Sequence, residues 1–323
     1  MTLSPSLLKS LTFVQGANGT ERPVVRPGIT LVLYYGQPMH ELAEVVATIV
    51  ERMRHFIAPT TMTGIRTRTG YTAFTAAGLA RQLKLLHDPK REYETLHLIS
   101  GTRLDAVGSH ALHVFGGNLR ERGKRGLYPD DTNLVILEFP LAVLETPGPE
   151  PFQAFAREVA ALAPYVSGYA GYGFCHLHEG TEPLHFIGSR ALRVLGFDLS
   201  LPDLAHAADR HVVNTSWLNF FGDALVTRLG GKAAIEAQLP PDVVLTSVPH
   251  GLLVQAGAGP TPGDVNRKLD VIEPMRAVAR VTRALRPSNE RPSGRYWIVY
   301  GPEAVQTQWF DRLERDSPDG RTP

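Results

Sequence analysis

Cysteine is almost missing: Cys175 stands alone in 323 residues, so no intramolecular disulfide can staple the chain. Long apolar runs are missing too. The stretches Thr30–Tyr35 and Leu134–Leu137 fall far short of the roughly 20 residues a membrane-crossing helix needs. The opening segment, Met1 to Val14, lacks the basic start and apolar core of a secretory signal. These absences argue against a disulfide scaffold and against a membrane partner, and the expectation is a cytoplasmic protein. Net charge is nearly absent as well, at +1.

That small sum conceals a strong asymmetry. Between Pro129 and Asp209, eleven acidic residues face only Arg157, Arg190 and Arg193, a net of −8. Between Arg52 and Gly126, thirteen basic residues face five acidic ones, a net of +8. Segregated charge creates fields that steer a partner of opposite sign, although solvated faces that neutralise each other after folding produce the same count. With 43% hydrophobic and 20% charged residues, the chain has the composition of a folded globular protein with a sizeable core.

Spacing sets the expected elements. Ile29–Tyr35 is β-branched and aromatic, as a buried strand is, and Pro38 then opens a helix. Leu42, Val45, Val46, Ile49, Met53 and Phe56 recur at helical intervals with charged residues between them, which makes one apolar face. Asn133–Phe139 is a second strand, Phe152, Phe155, Val159 and Leu162 mark a second amphipathic helix, and Tyr165–Phe174 resumes extended structure. A duplicated strand–helix–strand unit is therefore expected. Thr95–Ile99 and Leu112–Phe115 read as paired strands, and Val243–Val248 with Leu252–Gln255 as a hairpin around Pro249-His250-Gly251. Short helices follow Gly222 and Gly230-Gly231, another covers Met275–Leu285, and Tyr296–Tyr300 and Val305–Leu313 close the series as strand and helix.

Helices and strands mix without a regular βαβ alternation. That favours an α+β fold: a mixed, largely antiparallel sheet with helices packed on one face. The expected divisions are an N-terminal arm (1–24), a first α/β half (25–125), a second α/β half (126–315) and a frayed tail (316–323).

Chemistry is harder to find. The glycines from Gly168 to Gly173 lack dinucleotide-turn spacing, and no phosphate-loop lysine follows a glycine cradle. Gly257-Ala258-Gly259 runs into Pro260 and reads as a turn. His176 and His178, two apart on a strand, could turn to one side toward a metal with His185 or Glu179 as a third ligand. No distant metal motif supports them, so the expectation is no metal, no cofactor and no catalytic residue. His206, Asp209 and His211 form a second polar group with the same weakness. Cys175 reads as a small buried hydrophobe.

One order of motifs carries more. Trp217-Leu-Asn219-Phe220-Phe-Gly222-Asp223 leads into Leu229-Gly230-Gly231, then Gly251-Leu-Leu-Val-Gln-Ala-Gly257 and Pro262-Gly-Asp264-Val-Asn266, all preceded by Gly168–Phe174. This order resembles the TsiV-like family of type VI secretion immunity proteins, which protect against VRR-Nuc-type nuclease effectors. The resemblance covers roughly Ile29 to the C-terminal helix and is sharpest from Gly168 to Asn266, while the basic region Arg66–Arg125 matches no motif of it. Each motif also has a plain physical reading. Trp217 and Phe220 suit the core, Gly222, Gly230 and Gly231 suit helix boundaries with positive φ, Asp223 suits a helix cap, and Asp264 and Asn266 suit a turn.

The resemblance implies a non-catalytic binding protein whose partner is a cognate toxin. Direct nucleic-acid binding is not expected, and no oligomeric state is implied. Nucleases present basic clefts to phosphates, so carboxylates of the acidic segment are the candidate contacts: Asp130, Asp131, Glu179, Glu182, Asp198 and Asp203. The competing readings are a metal-assisted hydrolase using His176 and His178, or a structural or regulatory component of a secretion locus.

Overall fold

The structure is a computed structural model that describes residues 3–16, 20–67, 70–91, 93–101, 105–117, 132–145, 147–178, 181–267, 272–287 and 308–314. Asp130, Asp131, Glu179, the expected strand Tyr296–Tyr300 and the tail 316–323 lie outside these residues.

The strands are β1 (Phe13–Gln15), β2 (Arg22–Tyr35), β3 (Gly64–Thr67), β4 (Gly70–Ala73), β5 (Glu94–Ile99), β6 (Ala111–Gly116), β7 (Asn133–Phe139), β8 (Ser167–His176), β9 (Leu218–Gly222), β10 (Val243–Val248) and β11 (Gly251–Ala256). They form one 11-stranded sheet in the order β10-β11-β9-β8-β2-β7-β6-β5-β3-β4, with β1 paired to β2. The strand pairings are antiparallel, so the expected α+β class with a largely antiparallel sheet holds. The helices are α1 (Pro5–Ser10), α2 (Met39–Ile57), α3 (Ala76–Leu86), α4 (Glu150–Ala160), α5 (Glu182–Ala191), α6 (Asp223–Arg228), α7 (Lys232–Glu236) and α8 (Glu273–Val281).

Register explains how the core closes. Ile29, Leu31 and Leu33 of β2 lie opposite Phe139, Leu137 and Val135 of β7, and opposed residues share a face. Helices α2 and α4 cover this face. Phe56 of α2 stacks on Phe155 of α4 with centroids 4.4 Å apart and meets Phe139 edge-on at 5.8 Å. Such pairs add about 0.5–1.5 kcal/mol each beyond the area they bury. Cover does not stop at that face. Every residue of β7 and β8 is buried, which requires both sides of the sheet to be shielded. On the second side α8 clusters with Phe221, Leu252 and Val254, and irregular chain packs beside it.

The two expected strand–helix–strand units are not equivalent. β7 and β8 close around β2, whereas β3, the strand after α2, lies four places from β2. The duplication therefore has no support in the topology. Strands from the expected first and second halves also interdigitate, because β2 sits between β7 and β8.

Close approach accounts for the glycines of β8. A Cβ on Gly173 would lie 2.5 Å from Thr30 Cγ2, and one on Gly171 would lie 2.3 Å from Ser216 Oγ. Both strands can press together only where no side chain intervenes.

Candidate functional site

The motif residues build a framework. Trp217 and Phe220 are fully buried, and the Trp217 indole donates to the Gly257 carbonyl at 3.1 Å. Asn219 is buried in β9. It accepts from the Ser216 amide at 2.8 Å and donates to the Ser216 and Val254 carbonyls at 2.8 and 3.2 Å. Gly230, Gly231 and Gly257 have φ near +87°, as expected of turn glycines. Gly222 does not. Its φ is −64°, and its lack of a side chain serves packing, since a Cβ would lie 2.2 Å from the Tyr165 carbonyl oxygen. Asp223 is also not the helix cap: Gly222 holds that position, and Asp223 follows it in the first turn, where its charge favours the helix dipole. Asp264 accepts from the Asn266 amide at 3.1 Å, as the turn reading expects. Its two oxygens also receive a fork from Arg193, both bonds at 3.2 Å.

The acidic candidates separate. Glu182 opens α5, is exposed, and accepts a hydrogen bond from the Gln15 side chain. Asp203 falls in a 3-10 turn, Pro202–His206. Asp198, expected at the surface, is only 1% exposed. Its backbone bridges to Gly173 beside β8, which draws the side chain inward. There it accepts from the Ser200 amide and hydroxyl at 3.0 and 2.8 Å and from Asn214 Nδ2 at 3.2 Å. Arg312, also buried, donates to Asn214 Oδ1 at 2.6 Å and lies over the Trp309 ring. Burial raises the Asp198 pKa and presses Arg312 down to about 9, while the two opposite charges partly offset each other. Asp198 thus fixes internal structure and leaves the set of contact carboxylates.

The histidines regroup in a way the sequence did not disclose. His176 stays packed against His178, their ring centroids 4.5 Å apart, but its ring nitrogens lie on the Leu177 and Ser200 carbonyls at 3.0 and 3.3 Å. His178 also meets His113 of β6, their ring centroids 4.4 Å apart, and Glu138 of β7. His113 lies opposite Ile136 and Ala111 opposite Glu138, so His113 and Glu138 are diagonal neighbours on one face. Glu138 Oε1 stands 3.8 Å from His113 Nε2 and 3.9 Å from His178 Nε2. Burial holds both imidazoles neutral, well below their usual range, and pushes Glu138 up to about 7 against the pull of Arg26, the Cys175 thiol and the His176 amide. With neutral rings these contacts are not ion pairs. His97 of β5 shares a hydrogen bond with His113, Nδ1 to Nδ1 at 2.8 Å. The sequence signal for this cluster was Glu138 itself, the one charge in the apolar strand NLVILEF.

Two members of the second polar group have local partners. Asp209 pairs with its neighbour Arg210, and His211 Nδ1 lies 2.9 Å from the Ala207 carbonyl. A separate surface cleft of about 530 Å³ is lined by Leu144, Pro149, Glu150, Tyr172, the Gly257–Pro260 turn and Met275. Cys175 is fully buried, and burial raises its thiol far above the range of a nucleophile.

Among the described residues no helix is long and apolar enough to cross a membrane. No curated protein matches the chain. The fold is similar to that of a Pseudomonas aeruginosa type VI secretion system (T6SS) protein, PA0821. The TM-score is 0.73 and identity 19%, over 94% of this chain and 87% of that one. The sequence profile of TsiV, described as type VI immunity for VRR-NUC, matches residues 64–313. By that match over most of its length, the chain belongs to the TsiV family of type VI immunity proteins.

Proposed function

We propose that the protein binds a cognate VRR-Nuc-type effector and neutralises it by occupying the basic cleft through which that nuclease engages phosphates. The family match over residues 64–313 carries this reading. Between Pro129 and Asp209, the nine acidic residues other than the buried Glu138 and Asp198 still outnumber three arginines, which agrees with it, because carboxylates can stand in for a nucleic-acid backbone. The contact carboxylates are Asp130, Asp131, Glu179, Glu182 and Asp203, of which Glu182 is exposed at the start of α5. The protein acts by binding alone, in the cytoplasm, where an incoming nuclease would meet nucleic acid. A stable inhibitory complex should bury about 1,200–2,000 Å² in total.

The test is direct. The product of the adjacent effector gene is purified, and its nuclease activity is measured against rising amounts of this protein. Stoichiometric inhibition with a co-eluting complex is expected. Undiminished nuclease activity at excess protein, with no complex on gel filtration, overturns the reading.

A further inference from the structure

Three neighbouring buried side chains carry atoms without a hydrogen-bond partner: His113 Nε2, Glu138 Oε1, and Nδ1 and Nε2 of His178. Buried polar atoms are ordinarily paired, so one orphan from each of three side chains beside one small void calls for an occupant. The void is about 30 Å³ and is lined by His113, Glu138, His176, His178 and Arg66. That volume admits an ion or a water but no organic substrate, since a water needs roughly 10–15 Å³ on this measure.

The donor set distinguishes between the two. One atom from each of His113, Glu138 and His178 lies within 4.8 Å of the others. Separations of 3.8 and 3.9 Å are too long for direct hydrogen bonds, yet they approach the spacing of ligands around a shared ion. Metal–nitrogen and metal–oxygen bonds of about 2.0–2.2 Å place tetrahedral ligands roughly 3.4 Å apart. Supporting contacts are already in place. His97 and His113 share one proton across their Nδ1 atoms. A proton on His113 Nδ1 leaves a lone pair on Nε2, directed at the void. The Cys175 thiol and the His176 amide bond Glu138, leaving Oε1 unpartnered. Partners of this kind fix the orientation of metal ligands.

We propose that His113, Glu138 and His178 form a binding site for a divalent transition-metal ion of the zinc class. Two imidazoles and one carboxylate are the ligands such an ion selects, with one position left for water. An ion held there would tie the chain after β8 to β6 and β7. Arg66 at the rim opposes a cation, and the Glu138 carboxylate supplies the compensating charge.

The test uses untagged full-length protein stripped with a chelator, then titrated with zinc chloride by calorimetry and followed by thermal melting. About one zinc per chain and a raised Tm are expected. Cobalt(II) in place of zinc should give the visible absorption of a four-coordinate site. His178→Asn and Glu138→Gln should each weaken binding more than about 100-fold, beyond the 10–100-fold typical of losing a supporting partner such as His97. His55→Gln and His87→Gln, on the surface, should leave it unchanged. Circular dichroism establishes that each variant is folded. Should His178→Asn fail to fold, His113→Gln replaces it. Absence of zinc uptake by the stripped parent overturns the proposal, and so does uptake that survives in folded Glu138→Gln or is lost in the surface variants.

Discussion

Arg312 reaches Asp198 through a single amide: Arg312 Nη2 donates to Asn214 Oδ1 at 2.6 Å, and Asn214 Nδ2 donates to Asp198 Oδ1 at 3.2 Å. Two buried charges far apart in sequence are thereby linked, and the Trp309–Glu314 turn is fixed beside β8. Arg312→Ala leaves the Asp198 charge without its cation, and losing one member of a buried pair costs about 3–5 kcal/mol. Urea unfolding should show a loss of that size. A loss under about 1 kcal/mol would mean that Asn214 and Ser200 suffice for Asp198.

Trp217→Ala and Phe220→Ala should each lower stability by about 3–5 kcal/mol, as large-to-small changes do in a filled core. Phe152 stacks on Trp217, and Tyr165 meets Phe220 edge-on, so neither cavity closes easily. Thermal melts decide the matter, and unchanged melting would place both residues outside the folding core.

His110 makes part of the acid sensitivity predictable. Burial, and then the nearby Arg26 guanidinium, push its pKa down to about 4 from 6.5. Between those values the unfolded chain binds a proton that the folded chain refuses, so stability rises with pH across the window and falls on acidification. His110→Asn should therefore lose less Tm than the parent between pH 7 and pH 4.5. Parallel acid limbs for the two proteins would remove His110 from this role.

Glu182 tests electrostatic capture. Charge reversal, Glu182→Lys, should slow association with the effector, and the parent rate should fall as salt rises and the Debye length shrinks to about 3 Å at 1 M. Stopped-flow kinetics over a salt series read both effects. Salt-independent association identical in parent and variant would assign Glu182 to solvated surface.

The sheet's centre was legible because β2, β7 and β8 announce themselves through dense β-branched and aromatic runs. The start of β2 was not. Proline ordinarily breaks a strand, as Pro23 and Pro27 would suggest here, yet β7 pairs with β2 only from Ile29 onward, so Pro27 interrupts no ladder on that side. β4 is only four residues long, too short for an alternation to show, whereas α3 carries Leu79, Leu83 and Leu86 at helical spacing, so its signal was present in the sequence. The motif residues declared their burial, while Asp198 misled because nothing local separates a surface carboxylate from one drawn inward by Asn214 and Ser200. His113, Glu138 and His178 were separate facts in sequence. Only the β6–β7 register and the course of the chain beyond β8 make them neighbours.

The position of β2 also governs how the chain folds. Tyr35 pairs with Asn133 and Ile29 with Tyr172, so this early strand waits for both of its long partners. At a synthesis rate of about 5–20 residues per second, the Ile29–Tyr35 part of β2, beyond its short pairing with β1, stays unpaired on the order of ten seconds after it is made. Pairing across such separations is slow, and an apolar strand left open invites association with other chains. On the proposed function, protection draws first on chains folded before an effector arrives, because a newly begun chain cannot complete the pairing of β2 until β7 and β8 have been synthesised.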